Sequence, residues 1–537
     1  MRHVCTAHVY TALVLVGLGS AAVSAAVFQH TVAVATDRGE QAAFLWVPPE
    51  AGQVRGVVMG GMTLMEREFA KDSQIRRACA DQQLAIVFLK CGLGAVDIQK
   101  VLDDLTKASG YGELSVAPLL FVGHSAGGPQ AKAAAVKLAA RCFGLVQYRG
   151  GGPWGGQELP PGIPALMMVG QFDEFGGTMR DEAGREQWEG SRDGLAAFRA
   201  KDERNLASLV VEPGAGHFAW SDRNAAYLGL FLRKAAAARI PPARPIDAAK
   251  PVALKRIDPR GGWLTDLTIK APGEHEPAAC DKYRGEKSKA AWHFDEETAR
   301  ATVAYHAGGF GKKDQFIKWS DPYWVDAGAR FFFTQLKWVG DGQSFEVHPV
   351  YAGKYPSQHN GRGPRWPRAG QPAAHSTAPI RIRPVSGSVV AAGPNTFRMQ
   401  YDSLAPATES SRVTFLACSV GDGQYRYTEQ VGMMPRGFKG LTKGTEQTIT
   451  FPPIGELKVG GAPVALKATS DAGLPVEYHV AFGPARVEDG KLQVAELPAR
   501  ATFPIAVKVV AYQFGRGVEP FVRTAPPAEQ TTRIVKP

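Results

Sequence analysis

Pro118-Leu119-Leu120-Phe121-Val122-Gly123-His124-Ser125-Ala126-Gly127-Gly128 is the stretch on which the reading of the fold turns. Pro118 to Gly123 reads as a strand, and Pro129 to Ala140 is alanine-rich and reads as a helix. Between them stands Gly-x-Ser-x-Gly, a pattern suited to a sharp strand-to-helix turn. Small residues beside the serine let the backbone take a strained angle and lift the hydroxyl into the open. In a chain with 60 glycines the bare pattern says little, so its context carries the inference.

Working outward, Val54 to Met59, Leu84 to Leu89, Cys142 to Tyr148, Ala165 to Gly170 and Leu206 to Glu212 are further short apolar runs. Helical patterns separate them at Glu66 to Gln83, Val96 to Ser109 and Tyr227 to Ala238. Continuous apolar strands alternating with helices predict a mostly parallel sheet covered by helices on both faces.

A serine hydroxyl becomes nucleophilic when a base takes its proton, and the base needs an acid to orient it. In this topology the order is serine, acid, histidine. Asp173 follows the Ala165 to Gly170 strand, and His217 follows Leu206 to Glu212. Both stand just past the C-terminal ends of strands, where ligands bind in such sheets. His124, beside the serine, is the one rival base in the segment, and Glu174 and Asp181 are alternative acids. Backbone N–H groups of Ala126 and of Gly61 or Met62, at the end of an earlier strand, are candidates for an oxyanion hole.

The Gly123 to Gly128 elbow, the Gly170-Gln171-Phe172-Asp173 loop, the Gly214-Ala215-Gly216-His217 loop and the Met59 to Met62 loop together resemble the α/β-hydrolase family. The pattern is similar to dienelactone-hydrolase-like and polyester-depolymerase-like secreted serine esterases. The resemblance implies an α/β-hydrolase fold and ester hydrolysis through an acyl-enzyme, without a cofactor. Many relatives carry His-Gly at the oxyanion strand end, where this chain has Met59-Gly60.

The chain has 537 residues, enough for about three domains at roughly 150 residues each. Residues 1–26 read as a secretory signal peptide: a basic start at Arg2, an apolar run from Val9, and small residues at Val23 to Ala26. An uncleaved anchor is the alternative. Residues 27–240 form the catalytic domain, 241–252 a proline- and alanine-rich linker, 253–445 a β-rich domain of unknown type, and 446–537 a last module. That module, through Gln447 to Pro453, Ala468 to Tyr478 and Gly483 to Ala485, resembles bacterial immunoglobulin-like repeats, which implies a β-sandwich.

The net charge of +11 suits an anionic surface, yet no nucleic-acid-binding motif accompanies it, so no nucleic-acid partner is expected. No metal is expected either, because His293, His306, His348, His359 and His375 lack ligand spacing. Trp319, Tyr323, Trp324, Phe331 to Phe333 and Trp338 read as a packed β core rather than a sugar platform. Five cysteines follow the signal, and one bridge among Cys79, Cys91 and Cys142 is compatible with an oxidising compartment.

The expectation is thus a secreted, periplasmic or cell-surface serine hydrolase of carboxylic esters, with β-modules placing it on a polymer or surface. After signal cleavage no stable membrane insertion is expected, and the oligomeric state is open. A prolyl-oligopeptidase-type serine peptidase and a surface-binding protein with a vestigial hydrolase domain are the alternatives. Because every candidate catalytic group precedes the linker, a fragment ending near Arg244 is expected to keep activity.

Overall fold

The computed structural model describes residues 24–25, 28–61, 64–171, 173, 187–242, 246–319, 336–355, 370–405, 413–434 and 440–537. Its central sheet has eight strands: β1 (His30–Thr36), β2 (Gly39–Trp46), β3 (Gly56–Gly61), β4 (Leu84–Leu89), β5 (Leu119–His124), β6 (Cys142–Tyr148), β7 (Ala165–Gly170) and β8 (Ala207–Glu212). The spatial order is β1-β2-β4-β3-β5-β6-β7-β8. The β1–β2 and β2–β4 pairings are antiparallel, and every pairing from β4 through β3 to β8 is parallel. This parallel-rich sheet fits an α/β-hydrolase fold. The leading antiparallel pair, which periodicity alone did not single out, extends one edge.

The apolar runs are continuous because each strand is buried on both sides. Along β4, Leu84, Ile86 and Phe88 enter one core, and Ala85, Val87 and Leu89 enter the other. α1 (Leu64–Lys71), α2 (Ser73–Asp81) and α6 (Asp222–Arg239) cover the first face. α3 (Ile98–Ser109), α4 (Gly127–Lys137) and α5 (Gln187–Lys201) cover the second. The single helix expected over Glu66 to Gln83 is two helices. Asp72 takes an extended conformation (ψ 130°), and its carboxylate accepts the N–H groups of Gln74 and Ile75, starting α2 anew. The sequence pattern does not mark α5, because Gly190 and Gly194 interrupt its apolar periodicity.

The second half is largely β, as expected, but its packing is not separate. After α7 (Glu296–Ala307), an antiparallel sheet of β9 (Arg381–Ser386), β10 (Thr414–Ser419) and β11 (Thr428–Met433) lies over the first face of the central sheet. Val385, Leu416, Val431 and Met433 belong to the same apolar core as Phe69 and Leu228, and Tyr305 of α7 joins them. The C-terminal segment has two four-stranded sheets that share a core built on Val480, Leu492, Val507 and Ile534. One of these sheets carries Ser24–Ala25 as its edge strand.

Trp319 is fully buried, in keeping with the packed-core reading; Tyr323, Trp324 and Phe331 to Phe333 lie outside the described residues. The bridge considered among Cys79, Cys91 and Cys142 does not form: all three are free thiols. Cys79 and Cys142 are buried within the segment of the central sheet, where burial pushes both thiols well above the usual range, Cys142 to about 12. No helix among the described residues is long and apolar enough to cross a membrane.

Candidate active site

β5 ends at His124, and the next residue turns the chain. Ser125 has φ 54°, the left-handed region that L residues rarely adopt, and α4 begins two residues later. The strain is held by contacts on both sides. The Ser125 N–H donates to the Tyr148 carbonyl at 3.1 Å, and its carbonyl accepts the Gly128 N–H at 3.0 Å. Glycine is required where the turn is tightest: a Cβ on Gly123 would stand 2.2 Å from the Gly127 carbonyl oxygen. Ser125 is half-buried and Ala126 exposed, so the elbow faces solvent while its base is packed.

His217 and Asp173 meet. The His217 Nδ1 lies 2.9 and 2.8 Å from the two carboxylate oxygens of Asp173, and both residues are buried. The contact makes Nδ1 the donor and leaves Nε2 as the lone-pair nitrogen, the tautomer a general base needs. The two loops are tied together below this pair, where the Gly214 N–H donates to Gln171 Oε1 at 3.0 Å. The alternative acids Glu174 and Asp181 lie outside the described residues, as does Met62.

His124, the rival base, has another task. It is buried, and burial together with neighbouring His217 holds it far below the ordinary histidine range, so it is neutral. Its Nε2 donates to the His217 carbonyl at 3.0 Å, with the two rings 4.8 Å apart. It therefore supports the base loop and links it to the residue beside Ser125.

Gly61 closes β3, and a Cβ there would sit 2.5 Å from the Cys91 carbonyl oxygen, so only glycine fits. Glu66, in the first turn of α1, is a member of the site that the sequence did not disclose. Its buried Oε1 accepts the His124 N–H at 2.7 Å, directly under the elbow. Nothing in the sequence separates it from an ordinary first-turn acid.

A second missed group surrounds Arg149, which follows β6 with φ 52°. Its guanidinium donates to the Gly216 carbonyl and to Glu212. Glu429 of β11 stands 4.0 Å from the same group, and the side chains of Arg149 and Glu429 are fully buried. Burial opposes the Arg149 charge, but Tyr148, Glu212, Glu429 and Asp173 outweigh it and keep Arg149 protonated. Beside the acid and base loops lies a cleft of about 550 Å³, lined by Gln171 and Pro213 and by Lys270, Lys312, Lys313 and Arg426. Among the described residues no group of three or more His, Cys, Asp or Glu side chains is placed to hold a metal ion.

No family model and no curated protein matches the sequence. Among solved structures, the chain is similar to the esterase domain of a Rhodothermus marinus protein, at 17% identity over 38% of this chain and 95% of that one, with a TM-score of 0.26. It is similar to an α/β serine hydrolase without a lid from Xanthomonas campestris, at 17% identity over 41% and 97% of the two chains, with a TM-score of 0.27. It is also similar to an S-formylglutathione hydrolase from Agrobacterium tumefaciens, at 15% identity over 38% and 94%, with a TM-score of 0.26.

Proposed function

We propose that this chain is a serine hydrolase that cleaves carboxylic esters through an acyl-enzyme. One observation carries the reading: the 2.8 Å His217–Asp173 pair shares a strand-end edge with Ser125, which is held at a left-handed elbow. In the proposed cycle Asp173 fixes the imidazole, and His217 Nε2 takes the Ser125 proton as the hydroxyl attacks the ester carbonyl. The N–H groups of Ala126 and of Gly61 or Met62 stabilise the oxyanion. His217 returns the proton to the departing alcohol, and water then repeats the sequence on the acyl-serine. Every group in this scheme belongs to the chain itself.

Export and attachment to a polymer or surface extend the proposal. Their support is the apolar N-terminal segment, the β-rich second half with its immunoglobulin-like sequence pattern, and the net charge of +11. A fluorophosphonate probe tests the core of the reading, because only an activated serine reacts with it. Labelling at Ser125, lost in Ser125→Ala, is the expected result. No labelling and unaltered turnover in Ser125→Ala would overturn the reading. A panel of esters and amides then separates an esterase from a peptidase.

A further inference from the structure

The base loop is gripped on both sides of His217. The peptide before it is held at the Gly216 carbonyl by Arg149, and the peptide after it at the His217 carbonyl by His124. Two fixed peptide planes fix the direction of the Cα–Cβ bond between them, and Asp173 then sets the ring. Arg149 is therefore as close to His217 in effect as a residue that touches the imidazole.

Arg149 is held from both halves of the chain. Its guanidinium lies between Glu212 at the end of β8 and Glu429 on β11. Glu429 Oε2 in turn accepts the Tyr427 hydroxyl at 2.6 Å. Arg223 stacks over Tyr305 of α7, and Asn224 joins Glu212 to both Tyr148 and Tyr305. The same segment of the β-module presses on the loop itself: a Cβ on Gly214 would meet Arg426 Nη1 at 2.5 Å and the Tyr427 carbonyl oxygen at 2.7 Å. Burial and the neighbouring Glu212 push the Glu429 carboxyl up to about 8 against the pull of Arg149, so its place in this pocket is set by its contacts with Arg149 and Tyr427 rather than by a free charge.

We infer that the β-module is part of the catalytic apparatus, with Glu429 acting through Arg149 as a positioning residue for His217. The inference rests on the serine-hydrolase reading above. It departs from the expectation that the catalytic segment works alone.

The test uses the full chain, p-nitrophenyl acetate as substrate and a fluorophosphonate as a probe of serine reactivity. Glu429→Gln keeps the side-chain volume, and Arg149→Lys keeps the charge without the fork that reaches Glu212 and Gly216 together. Each is expected to lower kcat and the labelling rate by roughly 10- to 100-fold, with KM within about twofold, because misplacing a catalytic group by a fraction of an ångström has effects of that order. The double variant should lose no more than about twofold beyond Arg149→Lys, since the two act in series. Phe397→Leu, in the core of the same half but away from this network, should lower the melting temperature and leave kcat unchanged.

Folded Glu429→Gln with wild-type kcat and labelling, or losses that multiply in the double variant, would overturn the inference. Should Glu429→Gln fail to fold, Tyr427→Phe, which removes only the hydroxyl fixing Glu429, takes its place in the cycle with the same expected pattern. The two readings fail differently. A wild-type protein that does not label sinks the hydrolase reading and this inference with it. A wild type that labels at Ser125 beside a Glu429→Gln that labels as fast sinks the positioning role alone.

Discussion

At the scale of single residues, the elbow at Ser125 shows how a strained conformation is kept. A left-handed φ on a non-glycine residue costs about 1–2 kcal/mol, and the surroundings must leave the backbone no better place. Gly150 does much of this. Its backbone lies against Ser125, and an added Cβ would stand 2.1 Å from the Ser125 carbonyl oxygen and 2.6 Å from its Cα. Gly150→Ala should therefore push the serine out of register and cut turnover of a small ester by at least ~100-fold. Gly190→Ala, in α5 with nothing within 4 Å of the new carbon, should leave turnover unchanged and raise the melting temperature slightly. Equal behaviour of the two variants would contradict this account of the elbow. The proposed triad predicts a different pattern. Ser125→Ala and His217→Ala should each cost at least ~10⁴-fold in kcat, and the double variant little more, because the members act as a unit. Asp173→Asn should cost ~10³–10⁴-fold by favouring the wrong imidazole tautomer. A silent Asp173→Asn beside a dead His217→Ala would move the acid to another carboxylate.

At the scale of elements, β8 is the last strand of the central sheet, and an open edge invites pairing with other chains. α7 covers it. His306 Nε2 accepts the Val211 N–H at 3.1 Å, and the Thr302 hydroxyl meets that of Tyr227 at 2.6 Å. An imidazole that accepts from a buried N–H must stay neutral, and burial holds His306 down to about 3. Burial likewise holds His293 at about 3, and His30 and His479 at about 4. All four lie below the unfolded value near 6.5, so between about pH 6.5 and pH 4 the unfolded chain binds protons that the folded chain refuses. Stability from this source is complete above pH 6.5 and drains away as pH falls through that window. The melting temperature should therefore drop by roughly 10 °C between pH 7 and pH 5, with little change from pH 7 to 8. His306→Gln, which keeps an acceptor but no titration, should flatten part of that slope; an unchanged slope would assign it to other groups. Elements such as β4, β6 and β7 were legible in the sequence to the residue, because burial on both faces makes an apolar run whose ends are its boundaries. The break at Asp72 and the antiparallel β1–β2 pair were not. The first depends on a side chain turning back on its own backbone, and the second on strands only partly buried, β1 at scattered positions and β2 at its far end. Ser125, Asp173 and His217 stood out because each follows a strand. Glu66, Arg149 and Glu429 did not, because their meaning comes only from partners 58 to 280 positions away.

At the scale of the whole molecule, the chain is folded around its first half rather than strung out from it. Besides the shared core, Lys71 pairs with Asp402 at 3.1 Å, and Arg383 reaches Asp222 at 3.3 Å. At the opposite end Arg500 pairs with Glu113 at 3.0 Å, the Arg500 N–H donates to the Tyr111 hydroxyl, and the Ala499 N–H donates to the Pro49 carbonyl. The Arg383–Asp222 pair, exposed at Asp222, contributes about 1 kcal/mol or less, and for the more buried Lys71–Asp402 and Arg500–Glu113 pairs desolvation offsets much of the attraction, so the apolar contact decides. Cutting the chain near Arg244 would bare the side of α1 and α6 that meets Val385, Leu404, Leu416, Val431 and Met433, and would strip α7 from the edge of β8. Exposed apolar surface joined to an open strand edge is the combination that leads to association of chains. It would also leave Arg149 and Glu212 without Glu429. A fragment of residues 28–244 should therefore be recovered largely as aggregate, and any soluble portion should label with fluorophosphonate at least ~10-fold more slowly than the full chain. A chain cut instead near residue 445 keeps α7, β9, β10 and β11, and loses the segment that bears Arg500 together with Val510, Tyr512 and Phe514, which share a core with Phe397 and Phe415. It should label within about threefold of the full chain, because Glu429 stays beside Arg149, but its melting temperature should fall, since the core around Phe397 and Phe415 is bared. Size-exclusion chromatography and labelling rates on the two fragments measure this directly. A monomeric, fully reactive 28–244 fragment would show that the first half folds and works alone, and that the contacts across the linker are only adhesive.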